Sequence, residues 1–187
     1  MVPITALWLP ILLSAVIVFV ASSIIHMLLP IHKSDYRQLP EEDRVLGTTL
    51  HAAGVTPGRT YHFPYCTHKE MKSPEAVERF KRGPVGLLTV IPSGPPVMGK
   101  YLGQWFLCCV LIGVFVAYLT GRTLSRDAQY LDVFRVAGPT AFLGYAVAQI
   151  QDSIWKGQSW TVTLKHVFDG LIYGLLTAGT FGWLWPR

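Results

Sequence analysis

Four apolar stretches, separated by polar segments, dominate the hydropathy pattern of the chain. They cover about residues 5–30, 101–120, 132–154 and 161–185, and each reaches the roughly 20 residues that an α-helix needs to cross a bilayer. The first stretch is too long for the core of a signal peptide, and residues 1–32 contain no Asp, Glu, Lys or Arg. The pattern therefore predicts four membrane-spanning helices, with the first one retained.

A polar insertion, residues 33–100, lies between the first and second apolar stretches. Pro40, followed by three acidic residues, predicts one short helix, and Ser73-Pro74-Glu75 predicts the start of a second that ends before Gly83. Residues 55–67 are rich in turn formers and aromatic residues and are predicted to be ordered coil, whereas residues 85–91 are predicted to be a short strand or an extended stretch.

The predicted fold class is all-α, an integral membrane four-helix bundle with a cytoplasmic cap of short helices and coil between helices 1 and 2. The composition agrees, because 51% of the 187 residues are hydrophobic and only 14% are charged. This length predicts a single membrane domain over residues 1–187. The three cysteines, Cys66, Cys108 and Cys109, do not form a disulfide framework.

The distribution of basic residues predicts the orientation in the membrane. With four spans, twelve of the sixteen Lys and Arg residues fall on the side of the insertion and of the turn near Lys156. The positive-inside rule then places the insertion in the cytoplasm of a bacterium and both termini outside its inner membrane. The net charge of +5 does not predict a nucleic-acid partner, because the basic residues of the insertion are interleaved with acidic ones and show no recognition-helix pattern.

Ionisable side chains in the last apolar stretch are the strongest candidates for a site. Lys165, His166 and Asp169 lie within it, and the predicted topology brings them to the same membrane face as His26 and Asp152. We take an ionisable side chain at such a depth in the membrane as a candidate for a functional site. Two interpretations stay open: Lys165 neutralises Asp169 one helical turn away and the cluster only fixes packing, or the cluster is a ligand-binding or proton-handling site.

Two further ligand sets are weaker. His26 and His166 are a remote candidate for the axial ligands of a b-type haem. His62, Cys66 and His68 form an H-x3-C-x-H cluster of possible metal ligands in the insertion, but structural zinc requires a fourth. No nucleophile elbow, P-loop or dinucleotide fingerprint is present. The sequence therefore predicts no catalytic residue, no cofactor and no metal.

Rows of small residues predict close helix packing. Small side chains at four-residue spacing let helices approach each other in lipid, and they occur in the second and fourth apolar stretches. These positions are Gly113, Ala117, Gly170, Gly174, Ala178 and Gly182. The predicted partners are the lipid bilayer and other membrane subunits or a second copy. The predicted function is a non-enzymatic accessory or interaction subunit of a membrane complex, and the alternative is a small-ligand or proton-linked binding or transport protein.

The last third of the chain also carries a resemblance. The segment AQIQDSIWKGQSWTVTLKHVFDGLIYGLLTAGTFGWLW, residues 148–185, has an acidic residue, an aromatic, a Lys-Gly turn and then a final helix rich in small residues. This pattern resembles a bacterial family of small four-helix membrane proteins classed as a domain of unknown function. The likeness covers about the last 60 residues and the first helix. It implies the topology given above and no activity.

Overall fold

The computed structural model describes residues 1–50 and 52–186, except for the side chains of residues 47–49. The chain separates into two compact units. The first contains residues 1–35, 97–154 and the chain from Gln158 onward, and the second contains residues 36–96 and 155–157. The predicted predominance of helix is confirmed.

Four long helices make up most of the first unit. They are α1 (Trp8–Ser23), α3 (Met98–Thr123), α4 (Tyr130–Tyr145) and α6 (Trp160–Trp183). Helix α1 packs against α3 and α6, and α4 packs against the same two helices. Their facing sides bury a core that includes Leu7, Ala15, Val18, Val116, Val133, Ala141, Ala178 and Phe181.

The predicted continuous helix over residues 132–154 is interrupted. Helix α4 ends at Tyr145, a 3₁₀ turn covers Val147–Gln149, and a short helix α5 covers Ile150–Lys156. Gly144 lies one residue before the end of α4, and residues 146–149 contain neither Gly nor Pro. The break coincides with the position where Ala146 contacts Gly170 of α6.

The second unit contains helix α2 (Pro74–Arg82), whose start the sequence predicted. The Ser73 side chain caps it by accepting a hydrogen bond from the N–H of Ala76 (3.1 Å). Part of the predicted coil over 55–67 is instead a strand, β1 (Arg59–Phe63), paired antiparallel with β2 (Gly86–Val90). The partner strand, β2, lies within residues 85–91, which were predicted to be a strand or extended. Its backbone hydrogen bonds to β1 make residues 59–63 a strand. A π-helical segment covers Arg44–Leu50.

Two helical stretches, Ile4–Leu28 and Met98–Thr123, are long and apolar enough to span a membrane. The sides of the helices that turn away from the core carry large apolar residues. Leu107 is 66% exposed, Leu143 60% and Leu164 61%. The first unit is therefore apolar both in its core and on much of its outer surface.

The small residues of α3 and α6 face other helices of the same chain. A Cβ atom on Gly170 would lie 2.6 Å from the Cβ of Ala146, and one on Gly174 would lie 3.2 Å from the backbone N of Phe142. On α3, a Cβ on Gly113 would lie 3.3 Å from the Ile11 side chain. The rows therefore allow α6 to approach α4, and α3 to approach α1, within this chain.

We expect Gly170→Ala to destabilise the first unit by about 1–3 kcal/mol, because the added methyl overpacks the contact with Ala146. Thermal unfolding in detergent, followed by circular dichroism, measures the effect. Gly103→Ala in α3 is the control, since a Cβ there meets nothing within 4 Å and Ala favours helix. Equal stability of the two variants would contradict the close α4–α6 approach.

Candidate functional site

The site lies where α1 ends and the chain turns back toward α6. The last turn of α1 widens into a π-helical segment, Ile24–Leu28, which carries His26. Leu29 is extended, and Pro30 begins a 3₁₀ turn, Pro30–His32. This turn brings His32 beside His26. Single π turns within helices occur frequently at functional sites.

One oxygen of Asp169 is the centre of the site. Asp169 is only 3% exposed, and its Oδ2 lies 2.9 Å from His32 Nε2, 3.6 Å from His26 Nε2 and 3.9 Å from His166 Nδ1. The histidine rings are close neighbours, with centroids 4.1 Å apart for His26 and His32 and 5.2 Å apart for His32 and His166. We refer to these four residues as the histidine–aspartate cluster.

Two atoms of the cluster are buried without a hydrogen-bond partner in the described part of the chain. They are His32 Nε2 and Asp169 Oδ2. Although 2.9 Å separates them, the contact lacks the alignment of a hydrogen bond. Because a buried polar atom without a partner costs free energy, such atoms in native proteins usually bind water or a ligand.

A second carboxylate fixes the other side of the His32 ring. Asp35 Oδ2 lies 2.6 Å from His32 Nδ1, and Lys165 Nζ donates hydrogen bonds to Asp35 Oδ1 (2.7 Å), to the carbonyl of Ile31 (2.7 Å) and to Ser34 Oγ (2.9 Å).

The environment of Asp35 favours its ionised form. Burial raises the pKa of this carboxyl, but the hydrogen bonds from Lys165 and His32, together with their charges, outweigh burial and hold the pKa below its usual value. An ionised Asp35 accepts a hydrogen bond from His32 Nδ1. In a neutral His32, Nε2 is then an acceptor that faces Asp169.

The hypothesised local pair of Lys165 and Asp169 is wrong, because Lys165 pairs with Asp35 instead. Both side chains lie on one face of α6, but the turn after α1 brings Asp35 within reach of Lys165. Sequence reasoning missed His32 and Asp35, which lie just beyond the first apolar stretch. The available signal was Pro30, which ends the helix, and the three-residue spacing of His32 and Asp35, which suits one tight turn.

The structure brings together three of the predicted residues, His26, His166 and Asp169. Two groups of possible metal ligands occur among the described residues: His26, His32 and Asp169, and His32, Asp35 and His166. Neither group includes Asp152, which lies on α5. The weaker set of His62, Cys66 and His68 lies in the second unit and is also outside these groups.

Polar atoms continue from Asp169 along α6. Tyr173 and Thr177 follow it at four-residue spacing, and both side chains are buried, at 4% and 1% exposure. The Tyr173 hydroxyl lacks a hydrogen-bond partner among the described residues. This face of α6 therefore places three buried polar side chains in a row.

No family model, curated protein or solved structure matches this chain. The resemblance to four-helix membrane proteins of unknown function accordingly stays a prediction.

Replacing Lys165 by Met should destabilise the first unit by roughly 1.5–3 kcal/mol, because the buried Asp35 carboxylate loses a charged hydrogen-bond donor. Thermal unfolding of the purified protein measures the change. The matched control is Lys81→Met, since Lys81 pairs with Glu78 on an exposed face of α2 and such pairs contribute little. If the Lys165 variant were as stable as the control, the Lys165–Asp35 contact would not hold this turn in place.

Proposed function

We propose that this chain is a multi-pass membrane protein that binds a small cation at the histidine–aspartate cluster. The observation that carries the proposal is the buried carboxylate of Asp169, approached by three histidine nitrogens but by no Lys or Arg side chain among the residues that the structure describes.

The exposed apolar sides of the long helices support the membrane setting. A soluble protein rarely exposes a contiguous apolar surface larger than a few hundred Å², whereas Leu111, Phe115 and Leu175 belong to the outward faces of α3 and α6. The finer arrangement that we propose is a four-helix bundle in a bacterial inner membrane, with the insertion cytoplasmic and both termini outside. The basic residues near the ends of the helices support this orientation.

The charges of the site support a cationic ligand. The side chains of Asp35 and Asp169 are only 2% and 4% exposed, and Lys165 pairs with Asp35. With neutral histidines, the negative charge of Asp169 is left uncompensated, and burying an unpaired charge is costly. A bound cation compensates it. The His26 side chain is 40% exposed, so a small ion reaches the cluster from this end of α1.

The other predicted functions receive less support from the geometry. The small residues that favoured an accessory subunit contact helices of the same chain, so they do not provide a surface for a partner. A haem between His26 and His166 would need space beside both rings that the His32 ring fills.

We expect at least one small cation to raise the unfolding temperature of the purified protein. The panel comprises ammonium, methylammonium, Na⁺, Mg²⁺, Ca²⁺ and Zn²⁺. A ligand at a hundredfold excess over its Kd stabilises the native state by about 2.7 kcal/mol. Asp169→Asn should abolish this stabilisation, and Asp127→Asn, at an exposed position, should retain it.

Two results would contradict the proposed function. In one, no cation in the panel stabilises the wild-type protein. In the other, the same cation stabilises the wild-type protein and a folded Asp169→Asn variant equally.

A further inference from the structure

We propose that the cation is a divalent transition-metal ion of the zinc type, bound by His26 Nε2, His32 Nε2 and Asp169 Oδ2. This inference rests on the proposed function and names the ligand of the same site. It is carried by the distances between the three atoms, by the contact on the far side of the His32 ring and by the chemistry of the donor set.

The distances suit a single ion. Zinc binds histidine nitrogen and carboxylate oxygen at about 2.0–2.2 Å, so two ligands of one ion lie at most about 4.2 Å apart, and about 3.3 Å apart in a tetrahedron. Asp169 Oδ2 lies 2.9 Å from His32 Nε2 and 3.6 Å from His26 Nε2. One ligand atom of each of the three residues lies within 4.8 Å of the others, so small side-chain rotations bring the three residues to a common ion.

The far side of the His32 ring has the arrangement typical of a metal ligand. A histidine that binds a metal usually donates its other N–H to a carboxylate or carbonyl, which fixes the tautomer and the ring orientation. Asp35 lies 2.6 Å from His32 Nδ1 and fills this role. Lys165 in turn holds Asp35. Lys165 and Asp35 together hold the His32 ring so that its Nε2 atom faces Asp169.

If His32 is neutral, with its proton on Nδ1, this arrangement without an ion sets two acceptors against each other. The Nε2 lone pair of a neutral His32 and the Asp169 carboxylate repel at 2.9 Å, and neither atom has a hydrogen-bond partner in the described chain. An ion bound to both atoms replaces the repulsion with two favourable contacts. It also compensates the charge of Asp169.

The donor set selects the class of metal. Two imidazoles and one carboxylate suit Zn²⁺, Fe²⁺ or Co²⁺, whereas Mg²⁺ and Ca²⁺ prefer sites made of oxygen ligands. His166 Nδ1, 3.9 Å from Asp169 Oδ2, is within the range for a fourth ligand, and water is the alternative. The His26 and His166 side chains are 40% and 29% exposed, so the fourth position opens toward the end of the helices.

Metal content and cobalt spectroscopy test this inference. The full chain, purified in mild detergent through a tag without histidine, is stripped with EDTA, dialysed and loaded with Zn²⁺ or Co²⁺. We expect one ion per chain and the intense visible absorption of four-coordinate cobalt. Asp169→Asn and His26→Gln should lose the ion. Asp35→Asn should lower the affinity 10–100-fold, because it removes the carboxylate behind a ligand.

Two control variants separate the site from surface binding. Asp127→Asn and His62→Gln alter exposed residues outside the cluster and should retain the ion. We include His26→Gln because this variant should remain folded. His26 is partly exposed, and its replacement leaves the buried Asp35–Lys165 contact intact. Circular dichroism and size-exclusion chromatography establish that each variant is folded.

The inference is overturned if the wild-type protein retains neither Zn²⁺ nor Co²⁺ at one per chain. It is also overturned if the cluster variants and the controls retain metal equally, which would mean an adventitious ion only. If another cation stabilises the protein through Asp169 while these metals do not bind, the metal assignment fails and the proposed function stands. If no cation stabilises the protein, both fail. A proton shared by His32 between Asp35 and Asp169 is the alternative occupant in that case.

Discussion

The burial of the Asp169 carboxylate is the constraint on which the rest of the first unit depends. Asp169 directly precedes Gly170, and Gly170 and Gly174 let α6 approach α4 closely. A buried carboxylate requires compensating groups. The π turn carrying His26 and the 3₁₀ turn carrying His32 supply them from the end of α1.

Packing and binding are therefore not competing explanations of α6. The small residues of α6 allow its close contact with α4. The neighbouring row of the same helix carries the polar side chains, Lys165, Asp169, Tyr173 and Thr177. Lys165 contributes indirectly, because it holds Asp35, which in turn orients His32.

The sequence was sufficient for three of the long helices and for three of the four residues of the cluster. Apolar stretches of membrane length predicted α1, α3 and α6, and the depth of His26, His166 and Asp169 predicted where ionisable groups meet. His32 and Asp35 depend on a tight turn beyond the helix, which periodicity does not describe. The partner of Lys165 was wrong because helical spacing reveals only neighbours on the same helix. The break after Tyr145 coincides with the close contact between Ala146 and Gly170 of α6, which helical periodicity does not reveal.

X-ray absorption spectroscopy at the zinc edge of the zinc-loaded protein tests the central claim most directly, because it reports which atoms surround the ion. The account predicts a first shell of nitrogen and oxygen at about 2.0–2.1 Å, with the outer-shell scattering of two or three imidazole rings. A sulfur shell near 2.3 Å, or an oxygen shell without imidazole scattering, would contradict it.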